Sequence, residues 1–521
     1  MADEREERRE IEAYLSEHHL QSFLGDAVNI VVKERPKDPL VRLAEVLRAS
    51  SQTSREIQRV KGRQILNSEA LPALEVEIST FQGCFYGSIT RGPFDDDDQY
   101  YDGRGLRQAI GSVGDVLAEV LVGKDPGQQA VVDTLMTQES SLPPNVVSAA
   151  SLACCKAGAE QALISVSEHV AIMSDTSEGE IPYPAFSMIN GGHLAGSSLW
   201  VQDIFIVPVG TTVPSGQLLA ASKIHRVLEN AARDFEQPLL QRGPRGGFSS
   251  SSGTFEQVMD TLTQVIQHLG FLDDIEIVVD VHASRLRQEN SDESGEPTQR
   301  LYDTSTFCPN KGGSDLKDAD ALLETYLEWL EKYPIIAFIE PFAPSDVSFC
   351  KELLNRGEEV LQAKANAPFE GGGEPSGGES SSTQEGTKES ASMTHTRGES
   401  CRERKRDILL RVIADETVFT PARVAFVNEQ RGANAMVISP SRMTSLSDCI
   451  ALVGKAREVG WALFVSTASG EEMEGEFLLE VAIGLNAEHI LMGGLRSAST
   501  LAACSRMARK AGLDVPLVQE D

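Results

Sequence analysis

Four acidic residues stand at the ends of apolar runs. Asp280 closes Ile275–Val279, Glu340 closes Ile335–Ile339, Asp415 follows Ile408–Ala414, and Asp203 opens Ile204–Val209. Short continuous apolar runs mark strands buried on both faces. Asp280, Glu340 and Asp415 therefore sit where a strand leaves the core, and Asp203 where one enters it. One carboxylate at a strand end is ordinarily solvated. Three in series would repel one another unless a cation sat between them. Oxygen-only ligands suit magnesium, which takes a few carboxylates and keeps waters. Asp280, Glu340 and Asp415 are thus candidate ligands for Mg²⁺.

The elements that must position these acids are the runs themselves. Strands are expected at Ile204–Val209, Ile275–Val281, Ile335–Ile339, Val424–Val427, Ala435–Ile438 and Ala462–Val465, separated by helical patterns. Such alternation predicts an α/β fold with a buried parallel sheet, best closed as a (β/α) barrel with its chemistry at the C-terminal strand ends. Upstream, Pro72–Ile78 alternates like a strand, Gly83–Gly92 reads as a hairpin or loop, and helical patterns fill 104–122, 128–137 and 144–172. Residues 51–68 read as a polar connector. Asp95–Asp98 lacks the spaced glycine and terminal glutamate of a calcium loop and reads as solvated. Residues 371–400 are low in apolar side chains, so burial cannot offset their ordering entropy, and a disordered surface insertion is expected there. Smaller glycine- and serine-rich insertions fall at 243–254 and 287–299.

The chain has 521 residues, 41% of them hydrophobic, which excludes wholesale disorder. Its net charge of −31 disfavours sequence-independent nucleic-acid binding. No stretch is apolar enough for a membrane span, and MADEREERRE is no secretory signal. The eight cysteines form no CxxC pair and read as reduced cytoplasmic thiols. Near the N-terminus, Tyr14, Leu15, Leu20, Phe23, Leu24, Ala27, Val28, Val31 and Val32 share a helical face. Pro36 and Pro39 break that helix, and Leu40, Leu43, Ala44 and Leu47 face inward on a second one. Two short amphipathic helices need a partner to cover them.

YL…LGDAV…VVKERPKDPLVRLAEVL resembles the DPY-30/RIIα-type dimerisation and docking motif. That resemblance implies a homodimeric four-helix unit holding an amphipathic helix of an anchoring protein through residues 11–50. The remainder resembles the enolase family from about residue 70 to 512, most closely its divergent enolase 4 branch. The strings are SLACCKAGAE, PAFSMINGGHLAGSSLWVQDIFIVPVG, IVVDVHAS, FIEPF, RVIADETVFT, NAMVISPSRMTSL, VGWALFVSTASGE and AIGLNAEHILMGGLRS. They are collinear with the family.

The resemblance implies a helical docking segment over 1–55, an α+β N-terminal domain over 68–180, and an enolase-type barrel over 181–521, into which the composition places a disordered insertion at about 363–405. It implies Mg²⁺, interconversion of 2-phosphoglycerate and phosphoenolpyruvate, a cytoplasmic location and a flagellar or axonemal setting. The family's metal carboxylates fall on Asp280, Glu340 and Asp415. Its QEF glutamate falls on Asp203, one methylene shorter. Its loop histidine falls on Leu194, with His193 beside it as a substitute. Its second catalytic glutamate falls on Arg245, its base lysine on Ser439, and its second lysine on Leu491 or Met492. Its histidine–arginine pair falls on Thr467 and Ala468, while Ser469 survives as a substrate contact. A serine has no usable basicity at neutral pH, and losing a general base alone costs about 10²–10⁴-fold. A catalytically impaired, docked scaffold is the expectation; the alternative is an active hydratase with a rearranged site.

Overall fold

The computed structural model describes residues 13–50, 55–67, 70–90, 92, 94, 105–192, 195–234, 241–249, 253–291, 297–307, 315–366, 409–415, 420–466 and 475–512. Two compact units emerge. The first runs to Val170 and adds Thr444–Ser447; the second runs from Ala171 to Met443 and resumes at Asp448.

In the first unit, helices α1 (Leu20–Glu34) and α2 (Pro39–Ser50) pack as a hairpin. Arg35 ends α1 in the left-handed region at φ 50°, with its N–H on the Val31 carbonyl at 2.9 Å. Asp38 Oδ1 then accepts from the N–H groups of Leu40 and Val41 at 3.1 and 3.2 Å, which starts α2. Arg42 grips Glu34 across the turn with Nε and Nη2 at 2.7 and 3.0 Å. Ala27, Val31 and Val46 form a small core against Leu43 and Leu47. Phe23, Leu24, Val28, Val32, Leu40 and Val41 stay exposed.

Three antiparallel strands follow: β1 (Arg59–Leu66), β2 (Pro72–Ser79) and β3 (Cys84–Ile89). β1 lies in the stretch expected to be a connector. Its arginines hide the strand signal, because Arg59 and Arg63 pair across the sheet with Glu75 and Glu77 instead of entering the core. Helix α3 (Gln129–Gln138) packs on α4 (Pro144–Ala162), which lies on β2 and β3. The α4–β3 approach requires Gly87, since a Cβ there would strike the Ala149 carbonyl.

The second unit contains β4 (Tyr183–Asn190), β5 (Asp203–Pro208), the short pair β6 (Gln241–Arg242) and β7 (Phe248–Ser249), and β8 (Ile275–Asp280). Next come β9 (Arg287–Ser291), β10 (Pro297–Asp303), β11 (Leu316–Lys317), β12 (Ile335–Ile339), β13 (Arg411–Ala414), β14 (Ala435–Ile438), β15 (Ala462–Ser466) and β16 (His489–Met492). Strands β4, β5, β8, β12, β13, β14, β15 and β16 pair in that order, and β16 pairs back onto β4. This is a closed eight-stranded barrel in an α/β fold. Its interior holds Phe205, Val278, Ile339, Ile413, Phe464 and Leu491 among other buried side chains.

Three expectations for this unit need correction. The sheet is not all parallel, because β5 runs antiparallel to both β4 and β8. Val424–Val427 is helical, within Pro421–Glu429, where Thr420 Oγ1 caps the Arg423 N–H and Pro421 fits the first turn. β4 and β16 lack a run signal, since Pro184, Ser187 and Asn190 interrupt one and the other has four residues. Residues 287–299, where a glycine- and serine-rich insertion was expected, include β9 and the start of β10, which pair with one another. The expected insertion core at 371–400 and the acidic run Asp95–Asp98 lie outside the described residues. No described helix is long and apolar enough to cross a membrane.

Candidate metal centre

The reversal of β5 explains how Asp203 joins the other acids. β8, β12 and β13 bring Asp280, Glu340 and Asp415 to one rim at or just past their C-terminal ends. An antiparallel strand reaches that rim with its first residue, which is Asp203. In register, Asp203 lies opposite Asp280. A cavity of about 240 Å³ opens there, lined among others by Asp203, Arg245, Asp280, His282, Asp415 and Ser439.

Asp203 is 2% exposed and well held. Ser187 Oγ donates to its Oδ1, Asn190 Nδ2 donates to the same oxygen at 2.7 Å, and Arg245 Nη1 reaches Oδ2 at 3.3 Å. Burial raises its pKa, while Arg245 and the donors pull the other way. Arg245 also donates to Ser466 Oγ at 3.3 Å and lies over the Phe205 ring. The turn carrying it is seated by the Gly494 N–H on the Arg245 carbonyl at 2.7 Å and by the Gly247 N–H on Asn190 Oδ1 at 3.1 Å. No Cβ fits at Gly494, where it would strike the Gly246 carbonyl.

Asp280 differs. Its Oδ1 is buried and accepts no hydrogen bond. Burial pushes its pKa up to about 7, with Asp415 and Asp203 adding and His282 and Arg245 opposing. A carboxylate oxygen left in that state fits a cation ligand. His282, two residues on, turns back into the site. Its Nδ1 lies 3.4 Å from Glu340 Oε2, 3.9 Å from Asp415 Oδ2 and 4.0 Å from Asp280 Oδ1. Ligand atoms of His282, Glu340 and Asp415 all fall within 4.8 Å of one another. Ser284 donates to Glu340 Oε1 through both its hydroxyl and its N–H, the latter at 3.2 Å. Arg442 Nη1 lies 3.0 and 3.1 Å from the two oxygens of Asp415. Ser439 Oγ lies 2.9 Å from Ser441 Oγ.

The structure thus gathers Asp203, Arg245, Asp280, Asp415 and Ser439 around one cavity, with Glu340 beside them. His193, Leu194, Thr467, Ala468 and Ser469 lie outside the described residues. His282 was missed in the sequence. Its one signal is the imidazole in Asp280-Val281-His282, two places past a candidate ligand.

The fold is a closed barrel whose rim carries carboxylates and an imidazole that could hold a metal ion. The chain matches the description "Enolase, C-terminal TIM barrel domain" over residues 178–366 and 391–511, and "Enolase, N-terminal domain" over 57–170. It belongs to the enolase family. Cytosolic enolase 3 of Arabidopsis thaliana is 24% identical over 493 residues, covering 91% of this chain and 90% of its own. Enolase of Eimeria tenella is 26% identical over 463 residues, covering 84% and 91%.

Proposed function

We propose that this chain binds a divalent cation at Asp280, Glu340 and Asp415 but does not turn over 2-phosphoglycerate efficiently, and that it serves as a tethered scaffold. The observation that carries the reading is Ser439. At the family's base position stands a hydroxyl 2.9 Å from a second hydroxyl, Ser441. Among the described residues lining the cavity there is no lysine. Arg245, Arg285 and Arg442 supply positive charge, but a guanidinium stays protonated and takes no proton. A bound Mg²⁺ would stabilise negative charge developing on the substrate. Without the lysine base at that position, the barrier stays about 3–5 kcal/mol higher.

The alternative is an active phosphopyruvate hydratase with a rearranged site. It is favoured by Arg245, whose charge points at Asp203 inside the cavity. Phosphoenolpyruvate formation from 2-phosphoglycerate, followed by absorbance with Mg²⁺, separates the two. The scaffold reading expects no wild-type turnover above background. Wild-type turnover that vanishes in Asp280→Ala overturns it. A gain in Ser439→Lys would identify the lost lysine as the main deficit.

The tether is the α1–α2 hairpin. Its exposed Phe23, Leu24, Val28 and Leu40 support a homodimer that grips an amphipathic helix of an anchoring protein. With the likeness to the enolase 4 branch, the reading extends to a cytoplasmic, flagellar or axonemal setting.

A further inference from the structure

We propose that His282 is a nitrogen ligand of this centre, and that the site therefore selects a borderline dication, with Zn²⁺ the best match, over Mg²⁺. This rests on the metal-centre reading above and changes the ion it takes.

The geometry starts from distance. Ligands at about 2.0–2.2 Å from one ion stand about 3.3–3.6 Å apart on neighbouring tetrahedral vertices. His282 Nδ1 stands 3.4, 3.9 and 4.0 Å from oxygens of three acids carried by three strands. A contraction of a few tenths of an ångström brings the nitrogen–oxygen separations to that spacing, and the ligand atoms of His282, Glu340 and Asp415 already lie within 4.8 Å of one another. The oxygens are aimed for it. Ser284 holds Glu340 by Oε1, which turns Oε2 to the imidazole. Asp280 offers its buried Oδ1, which accepts no hydrogen bond.

The backbone is bent to make this meeting. His282 and Glu340 sit at φ 54° and 45°, a region L side chains rarely adopt. The Ala283 N–H donates to the Glu340 carbonyl at 2.9 Å, which ties the two bends together. Non-glycine residues held this way persist where surrounding structure demands them, and functional sites are where they cluster.

Ligand chemistry then chooses the ion. Magnesium requires oxygen at octahedral positions and dehydrates reluctantly. Imidazole suits zinc and its neighbours, and a mixed nitrogen and carboxylate set favours them strongly by intrinsic affinity. The competing role for His282 is a protonated counter-charge that replaces an ion altogether. The two roles give opposite responses when the imidazole is removed.

The test uses the full-length chain, stripped with a chelator. Zn²⁺ and Mg²⁺ are titrated by calorimetry, and the Mn²⁺-loaded chain is examined by electron spin echo modulation for nitrogen-14 coupling. Expected are Zn²⁺ binding at least about 10³-fold tighter than Mg²⁺, nitrogen coupling in the wild type, and loss of both the coupling and about 10–100-fold in Zn²⁺ affinity in His282→Ala and His282→Gln. Absence of nitrogen coupling in the wild type overturns the proposal without recourse to any variant. So does a sharp rise in Mg²⁺ affinity in the variants with Zn²⁺ binding unchanged, which identifies a counter-charge. If neither ion binds the wild type, the metal-centre reading itself fails.

Discussion

Asp203 and Asp280 stand side by side in the barrel wall as register partners, one at the start of β5 and the other at the end of β8. Their surroundings divide the work between them. Asp203 is committed to Ser187, Asn190 and Arg245, whereas Asp280 Oδ1 is buried without a hydrogen bond.

That division fixes the order of two substitutions. Asp280→Asn should lower divalent-cation affinity by about 10²-fold or more, because it removes a ligand oxygen and its charge. Asp203→Asn should cost no more than about tenfold, since only a neighbouring charge is lost. Calorimetric Mn²⁺ titration of both variants ranks them, and the reverse order would assign the ligand role to Asp203.

Arg442 would compete with a bound cation for Asp415. Its Nη1 contacts both carboxylate oxygens, and the pair is partly exposed. A pair of this kind contributes about 0.5–1 kcal/mol. Arg442→Ala should therefore tighten Mn²⁺ binding about two- to fivefold, a gain that shrinks as salt rises. Weaker binding would mean that Arg442 positions Asp415 for the ion.

His489 governs an acid limb of stability. It opens β16, stacks on Phe464 with ring centroids 4.5 Å apart, and has a buried Nδ1 with no hydrogen bond. Burial pushes its pKa down to about 4, and Arg411 adds to the shift. The folded chain then binds fewer protons than the unfolded one between about pH 6.5 and 4. Stability from this group is present above that window and is lost as pH falls through it, by at most about 3 kcal/mol. Chemical denaturation across pH 4–7 should show a shallower slope in His489→Phe, which keeps the ring and removes the titration. An unchanged slope would mean that other groups set it.

The helical hairpin makes a prediction about assembly. Leu24→Asp with Val28→Asp places charge on an exposed apolar face while sparing the Ala27, Val31 and Val46 core. Light scattering should show a smaller assembly than wild type, with unchanged helical content by circular dichroism. An unchanged mass would remove the docking segment as a dimerisation element.

Much of the site was legible because chemistry and hydrophobicity coincide there. Asp280, Glu340 and Asp415 each end an apolar run, so a strand reading places them at a rim. Asp203 begins its run, and only the direction of β5 shows that it reaches the same rim. His282 gave no pattern, because its position depends on a left-handed turn that neighbouring strands impose. β1 was hidden by cross-strand ion pairs, and Val424–Val427 by a four-residue run that a capped helix explains equally well. In each case long-range pairing decided between local readings.

The reversed strand also bears on how the barrel is assembled. β4 and β5 join at Asn190 and Asp203, close along the chain, so that ladder closes at little loop entropy. The last seam, β16 on β4, joins segments at opposite ends of the unit's sequence and must wait for everything between them. The β4–β5 ladder, which carries the Ser187 and Asn190 anchors of Asp203, is placed to act as an early template. The part of the rim that carries Asp203 would then be the oldest in each folding event, and the closing seam the youngest.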